Sequence, residues 1–324
     1  MRAVRAGVGV VVAAGTLVGC GSAAGPGGGT AAPTASAAAG PCGAAPATVP
    51  QGWVRDSVRI VAVSGECLEY EVTNPGTEAA DVTVLFGWSG SGAGLSDNPS
   101  ATQRALAPGA SVRGRVLLAD GPVEPDLPVG AVPSTPGAPG APGAPGSARP
   151  SGPSGAARPV PGVKVVKVRS VPTAEAPSTG GVCPASGVRV YADRGDAAMG
   201  LRVVGLHLEN CGTRDVVLDG YPGVELLDEA HAPVAGVQVL KGGSAISTGT
   251  GADAPPRRFT VAPGGKASAG LVWRNTTDLS GAPVNAPYVR VRATADAAPV
   301  MVTPELDLGT TGRIGVGAWA PERS

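Results

Sequence analysis

The sequence contains many short runs in which apolar and polar residues alternate, and these runs limit the folds open to it. In Cys67–Val72, Leu68, Tyr70 and Val72 face one way while Glu69 and Glu71 face the other. A period of two is the pattern of a half-buried β-strand. We find no amphipathic helix of convincing length in the sequence. The pattern therefore predicts an all-β chain.

The predicted strands fall into two blocks, and turns rich in Gly, Pro, Asn and Ser separate the strands within a block. The first block, 42–120, contains four β-branched runs: Val58–Val63, Cys67–Val72, Val82–Phe86 and Val112–Leu118. The second block, 183–312, repeats this style and is followed by a predicted C-terminal tail, 313–324. Many short strands at intervals of about 8–12 residues are typical of β-sandwiches. We expect two small immunoglobulin-like β-sandwich domains.

Glycine and proline are concentrated outside these blocks. The chain has 51 Gly and 33 Pro among 324 residues, and 121–182 contains 14 of the Pro and 11 of the Gly. Such composition predicts a disordered linker, here one that joins the two sandwiches. Within it, Val163–Val171 is either a strand that docks on a neighbouring sheet, which we prefer, or a basic strip that touches anionic cell-wall polymers.

The N-terminus predicts export and a membrane anchor. Arg2 and Arg5 precede an uncharged run that is too short to span a bilayer and suits a signal peptide, 1–19. It ends in Leu17-Val18-Gly19-Cys20, which resembles the lipobox of bacterial lipoproteins. The resemblance implies lipidation of Cys20, a flexible tether over 20–41 and a location at the outer face of the cell membrane. The alternative is an ordinary secretory peptide.

Four further cysteines remain, Cys42, Cys67, Cys183 and Cys211. An even number in an exported chain indicates disulfides, and four cysteines allow three pairings. We predict Cys42–Cys67 and Cys183–Cys211, because the long linker separates the two pairs. The alternative, a zinc site, lacks a Cys-x-x-Cys pair and histidines at ligand spacing.

The two blocks also resemble each other. Glu69–Thr77 and Leu206–Thr213 both contain a strand that ends in an Asn-x-Gly-Thr turn, and Leu106–Ser111 and Val261–Lys266 both contain a Pro-Gly turn. We interpret the blocks as two diverged copies of one sandwich. Generic β-turn chemistry is the alternative explanation.

The second block resembles a known family. Its relevant segments are Leu206–Asn210, Leu218–Asp228, which contains Gly-Tyr-Pro-Gly-Val, and Val261–Ala269. These segments look like domain of unknown function 4232, which is found in exported proteins and lipoproteins of high-GC Gram-positive bacteria. The resemblance implies a sandwich fold and an extracytoplasmic location, and it implies no activity.

No constellation of catalytic residues is visible. His207 lies on the polar face of its strand and His231 lies in a turn, and neither has an adjacent Ser or Cys nucleophile with an orienting group. Arg194-Gly195-Asp196, which spells an adhesion tripeptide, is interpreted as a chance match. We therefore expect a protein that is not an enzyme, with no cofactor and no metal; a hydrolase is the least favoured alternative.

Charge and aromatic content narrow the remaining functions. Lys and Arg number 25, equal to Asp and Glu, which argues against nucleic-acid binding. We expect an interaction or scaffolding module for envelope protein partners. The alternative binds a cell-wall polysaccharide or a small ligand by stacking on Trp53, Trp88 or Trp273. Tryptophans in an exposed groove would favour the alternative, and tryptophans buried between sheets would favour the protein partner.

Overall fold

The computed structural model describes residues 40, 42–89, 98–118, 162–278 and 281–322. Within these ranges the chain forms β-strands and one 3-10 turn, Thr173–Glu175, and contains no α-helix. No helix in the described part is long and apolar enough to cross a lipid bilayer. The predicted signal peptide, Cys20 and the tether up to residue 39 lie outside the described residues.

The first domain is a sandwich of two sheets. Its described strands are β1 (Val54–Arg55), β2 (Val58–Val63), β3 (Cys67–Thr73), β4 (Ala80–Ser89), β5 (Ser100–Leu106), β6 (Ser111–Leu117) and β7 (Gly162–Pro172). One sheet has the order β1-β2-β3-β6 and the other has the order β5-β4-β7. Strands that are not consecutive in the chain, β3 with β6 and β4 with β7, pair antiparallel, as in the Greek-key connections of an immunoglobulin-like sandwich.

The alternation predicted for the first domain is what builds its core. Leu68, Tyr70 and Val72 on β3 are fully buried, and the Tyr70 ring lies 5.2 Å from the ring of Phe86 on the opposite sheet. Aromatic and branched side chains from both inner faces fill the space between the sheets. The all-β class predicted from the sequence is therefore confirmed.

The predicted 121–182 linker is wrong in its C-terminal part. Strand β7 pairs with β4 along its whole length, so 162–172 completes the first domain instead of linking the two. Val163, Val165, Val168 and Val171 are buried because their spacing places them against apolar neighbours. The average composition of the segment hid this pattern. The hypothesis of a docking strand is confirmed, and the Pro/Gly-rich residues 119–161, outside the described residues, connect β6 to β7 of the same domain.

The second domain contains shorter strands. They are β8 (Val188–Ala192), β9 (Asp196–Ala198), β10 (Leu201–Asn210), β11 (Val216–Asp219), β12 (Gly223–Leu227), β13 (Gln238–Lys241), β14 (Arg258–Val261), β15 (Lys266–Arg274), β16 (Asn285–Ala286), β17 (Tyr288–Arg292), β18 (Val300–Val302), β19 (Leu306–Asp307), β20 (Arg313–Val316) and β21 (Ala320–Pro321). The main sheet has the order β13-β20-β15-β10-β8, with β9 and β21 added at β10 and β15. The sheet β12-β17-β18 belongs to the opposite layer.

The predicted C-terminal tail, 313–324, is wrong over its described part. Strand β20 pairs with β15 and with β13, and β21 continues along β15. Ile314 and Trp319 are buried in the core of the second domain. Strands of four and two residues are too short to show alternation, which explains why the sequence suggested a tail.

The two domains share one unusual feature, a buried asparagine at the end of a core strand. Asn74 donates from Nδ2 to the carbonyls of Glu78 and Leu106, each at 2.7 Å. Asn210 makes the equivalent bonds to Arg214 and Val261, each at 2.8 Å.

The remaining bonds of the two asparagines also correspond. Each Oδ1 accepts from the backbone N–H two residues later, and each backbone N–H and C=O pairs with the Pro-Gly turn. Generic turn chemistry does not require burial or a bond to a carbonyl 32 or 51 residues away. The shared geometry therefore supports two copies of one sandwich.

Candidate functional site

The junction between the two domains is the place where the structure brings distant polar residues together. All described residues belong to one compact unit that spans 39–324. An apolar cluster at the junction combines Val171 of β7 with Leu227, Tyr288 and Met301 of the sheet β12-β17-β18. These four side chains are almost fully buried, so the hydrophobic effect holds the two domains together.

Arg169, two residues before Val171, forms the main polar contact of the junction. Its Nε lies 2.6 Å from Oε1 of Glu305 and its Nη2 lies 2.7 Å from Oε2, so the guanidinium donates two parallel bonds. Its Nη1 donates to Glu229 at 3.0 Å. The guanidinium also lies over the ring of Tyr288, 5.5 Å from the centroid. This bidentate geometry fixes the orientation of β7 on the second domain.

Burial and charge act in opposite directions on the Arg169 guanidinium. Burial favours its neutral form, but hydrogen bonds and the negative charge of Glu305 outweigh burial and raise the pKa of Arg169. Burial also favours the neutral form of Tyr288, and for this acid it raises the pKa. The Tyr288 hydroxyl accepts a bond from the backbone N–H of Ser170 at 3.2 Å. Both groups therefore keep one charge state, and the junction is held in one arrangement.

Beside this junction lies a cleft of about 640 Å³ with walls from both domains. Its charged lining residues are Lys167, Arg169, Arg194, Arg202, Asp196, Glu229, Glu305 and Asp307. Four cations and four anions leave the lining without an excess of either sign. Because its charge is balanced, the cleft offers no electrostatic preference for a polyanion.

The inner wall of the cleft is held by hydrogen bonds. Trp273, which is almost fully buried, donates from Nε1 to Oδ1 of Asp307 at 2.8 Å. Asn275 donates to the other carboxylate oxygen at 2.9 Å, and Nη2 of Arg202 lies 3.7 Å from it. The Trp273 ring is therefore part of the wall and does not offer a face for stacking.

The rim of the cleft carries charges that remain available. Arg194 and Asp196 are exposed, and within the described residues neither side chain makes a hydrogen bond or an ion pair. Asp193 holds this loop, because its Oδ1 accepts from the backbone N–H groups of Gly195 at 2.8 Å and Gly205 at 2.9 Å. A ligand with both signs of charge can pair with the rim without breaking an existing contact.

The structure contains both predicted disulfides, Cys42–Cys67 and Cys183–Cys211. Their Cα atoms are 5.5 and 5.6 Å apart, within the range that a disulfide requires. The first bond joins the N-terminal end of the domain to the start of β3. Among the described residues, no group of three or more His, Cys, Asp or Glu side chains could hold a metal ion.

Two of the three predicted stacking residues have described side chains, and neither offers an exposed ring. Trp53 and Trp273 are buried, as is Trp319 in the second domain. The side chain of Trp88, in β4, lies outside the described part of the structure.

The two histidines lie in different surroundings. His207 lies on the outer face of β10 between two carboxylates, Asp193 and Glu322. His231 packs its ring edge-on against Tyr288, with 4.5 Å between the ring centroids. No described contact joins either ring to a Ser or Cys nucleophile.

The sequence did not identify the residues of the junction. Its one signal was the alternating basic strip of 163–171, which contains Lys167 and Arg169. Their shared partner, Glu305, lies 136 residues beyond Arg169 in a segment without a distinctive pattern. Only the packing of β7 on the second domain reveals the pair.

Fold and site together define a class of protein that consists of two disulfide-bonded β-sandwiches with a charged cleft at their junction. Residues 183–320 match the family Domain of unknown function (DUF4232). The resemblance predicted for the second block is thereby confirmed, and the match extends through β20 to Ala320, the first residue of β21, so it includes most of the predicted tail. No curated protein and no solved structure matches the chain.

Proposed function

We propose that this protein is a lipid-anchored, non-enzymatic interaction module that binds a protein partner at the outer face of the cell membrane. The observation that carries this proposal is the burial of Trp53, Trp273 and Trp319 inside the sandwiches. These buried rings offer no face on which a sugar could stack, which supports a polypeptide ligand over the polysaccharide alternative.

The cleft is the proposed docking site for the partner. Its balanced charges suit a polypeptide segment that carries both acidic and basic side chains, whereas a wall polymer of one sign would meet repulsion from half of the lining. Arg194 and Asp196 provide the available charges at the rim. The bidentate Arg169–Glu305 contact keeps the two walls in place before binding, and preorganisation reduces the entropy lost in the complex.

The location rests on two features. Both disulfides suit an oxidising compartment outside the cytoplasm. The lipobox-like segment before Cys20 supports an acyl anchor, since each buried methylene contributes about 0.8 kcal/mol and two or three chains hold a protein firmly.

A photo-crosslinking residue at position 194 tests the docking site. In intact producing cells we expect a protein adduct from position 194, because this rim position would lie against the partner. The matched control is position 217 on β11, where Val217 is also exposed but distant in sequence and outside the cleft lining. Removal of the rim charges in Arg194→Ala/Asp196→Ala should decrease adduct formation from a third cleft position, 285. Equal adducts from 194 and 217, or adducts with glycan only, would refute the proposal.

A further inference from the structure

His207 connects the rim of the cleft to the C-terminal strand. Its Nδ1 lies 2.7 Å from Oε1 of Glu322, which follows β21, and its Nε2 lies 3.2 Å from Oδ2 of Asp193 in the rim loop. The ring stacks on Tyr191 of β8 at 5.1 Å between centroids. One imidazole thus contacts two segments that are more than 100 residues apart in the chain.

The chemistry of the two contacts requires a particular protonation state. An ionised carboxylate only accepts hydrogen bonds, and a neutral imidazole has a single N–H. A neutral His207 therefore satisfies either Asp193 or Glu322 and turns a lone pair toward the other. The imidazolium donates to both, and charge-assisted bonds are the stronger kind.

Register explains how Glu322 reaches His207. Across the sheet, His207 faces Ser268 of β15, which in turn faces Ala320 of β21. These two small side chains leave room above β15 for the longer carboxylate of Glu322, whose backbone N–H donates to Lys266 at 3.1 Å. The C-terminal strand is thereby tied to the middle of the main sheet.

Asp193 connects His207 to the rim of the cleft. Its Oδ2 meets His207, while its Oδ1 accepts from the backbone of Gly195, between the two rim charges, and from the backbone of Gly205. Gly205 is needed here, since a Cβ at this position would overlap the Asp193 carboxylate and crowd the imidazole. The glycine opens the sheet surface for the arrangement.

We propose that His207 is a protonation-dependent latch that couples the C-terminal strand to the rim of the cleft. The consequence for partner binding rests on the proposed function, and the latch itself does not. With the imidazolium present, the rim loop and the strand are held together. When the ring loses its proton, its single N–H serves only one carboxylate at a time, so both contacts weaken and the rim carrying Arg194 and Asp196 is released from the strand.

The surroundings of the ring favour the closed latch. The charged and titratable groups that face His207 are Arg189 and Tyr191 of β8, Asp193 just after β8, Glu209 of β10, Lys266 of β15 and Glu322. Arg189 and Glu209 neutralise each other through a bond of 2.9 Å. Burial of the ring acts against its charge, but the bonds to Glu322 and Asp193 outweigh burial and raise the pKa of His207 above 6.5.

The raised pKa sets the pH at which the latch opens. A folded-state pKa above the unfolded value contributes stability that is complete below about pH 6.5 and is lost as the pH rises through the folded pKa. The latch is therefore closed in mildly acidic surroundings and opens toward alkaline pH.

Nuclear magnetic resonance on the purified protein tests the latch without any partner. We expect the His207 ring to titrate above pH 6.5. Hydrogen-exchange protection, corrected for intrinsic rates, should fall by about tenfold for the amides of Gly195 and Glu322 through the same midpoint, since a net hydrogen bond is of that order. In H207Q these amides should lose their shared pH dependence. H231Q, which changes the other histidine, should keep it.

Two results would overturn the latch. One is a His207 ring that titrates at or below pH 6.5, and the other is protection of both amides that does not change with pH in the unsubstituted protein. A failure of the crosslinking at position 194 alongside a normal titration would instead reject the docking site and leave the latch in place.

Discussion

At the scale of single residues, Asn74 and Asn210 show how a short polar side chain holds a sandwich together. Each is buried, and each pairs with carbonyls of the turn that follows it and of a strand distant in the chain. The side-chain amide thus satisfies backbone groups that would otherwise be buried without partners.

We expect Asn210→Ala to lower the free energy of unfolding by about 2 kcal/mol, because it removes the partner of a buried carbonyl at Val261 and of two partly buried groups, the Arg214 carbonyl and the Gly212 N–H. Urea denaturation followed by tryptophan fluorescence measures the change. The control is Asn285→Ala at an exposed position, for which we expect a change within about 0.5 kcal/mol. Similar losses in the two variants would contradict the structural role of Asn210.

The two asparagines also mark the limit of prediction at this scale. The similarity of Glu69–Thr77 to Leu206–Thr213 was visible in the sequence. The bonds to Leu106 and Val261 were not, because they join strands that are 32 and 51 residues apart in the chain. His207 was predicted on the polar face of its strand, but its partner Glu322 depends on how β21 follows β15.

At the scale of elements, β7 has two roles. Val163, Val165 and Val168 complete the core of the first domain, and Val171 packs into the cluster shared with the second domain. Arg169, which stands between Val168 and Val171 in the sequence, contacts Glu305 of the second domain. One strand therefore closes a sandwich and forms most of the junction, which explains why the two domains lie in one compact unit.

The variant Arg169→Met tests the role of β7 in the junction. It keeps an apolar side chain of similar length and removes the guanidinium that bonds to Glu305. We expect a loss of about 2 kcal/mol in the free energy of unfolding; this is less than for a fully buried pair, since Glu305 is about one-third exposed and keeps Lys167 as a partner. Urea denaturation provides the measurement. Arg113→Met, which removes an exposed pair with Glu71, serves as control and should change stability by less than about 1 kcal/mol. Equal losses of stability in the two variants would show that the junction does not depend on the Arg169–Glu305 contact.

At the scale of the whole molecule, the strand registers give the first domain two distinct ends. Strands β3 and β6 meet at Cys67 and Leu117, at the end where β7 begins at Gly162. The opposite end, with Pro172, leads into the second domain. The Cys42–Cys67 bond places the N-terminal side of the domain at the first end, about 35 Å of strand away from Pro172.

Replacement of Cys20 tests the anchor. We expect Cys20→Ala to move the protein from the membrane fraction to the soluble fraction, since the variant has no thiol for acylation. Fractionation of producing cells followed by immunoblotting gives the distribution, and Ser22→Ala is the neighbouring control that should remain with membranes. An unchanged distribution of the cysteine variant would reject the lipid anchor.

Local patterns in the chain were enough to predict the β-class, the two blocks, the disulfide pairs and the resemblance of the second block to its family. Period-two alternation and turn residues express backbone geometry within a few positions, and such signals need no knowledge of the partner strand. The membership of β7 in the first domain, the Arg169–Glu305 contact, the cleft and the His207 latch depended on folding. They arise from side chains that are up to 136 residues apart, whose meeting follows from strand register and packing that no local pattern encodes.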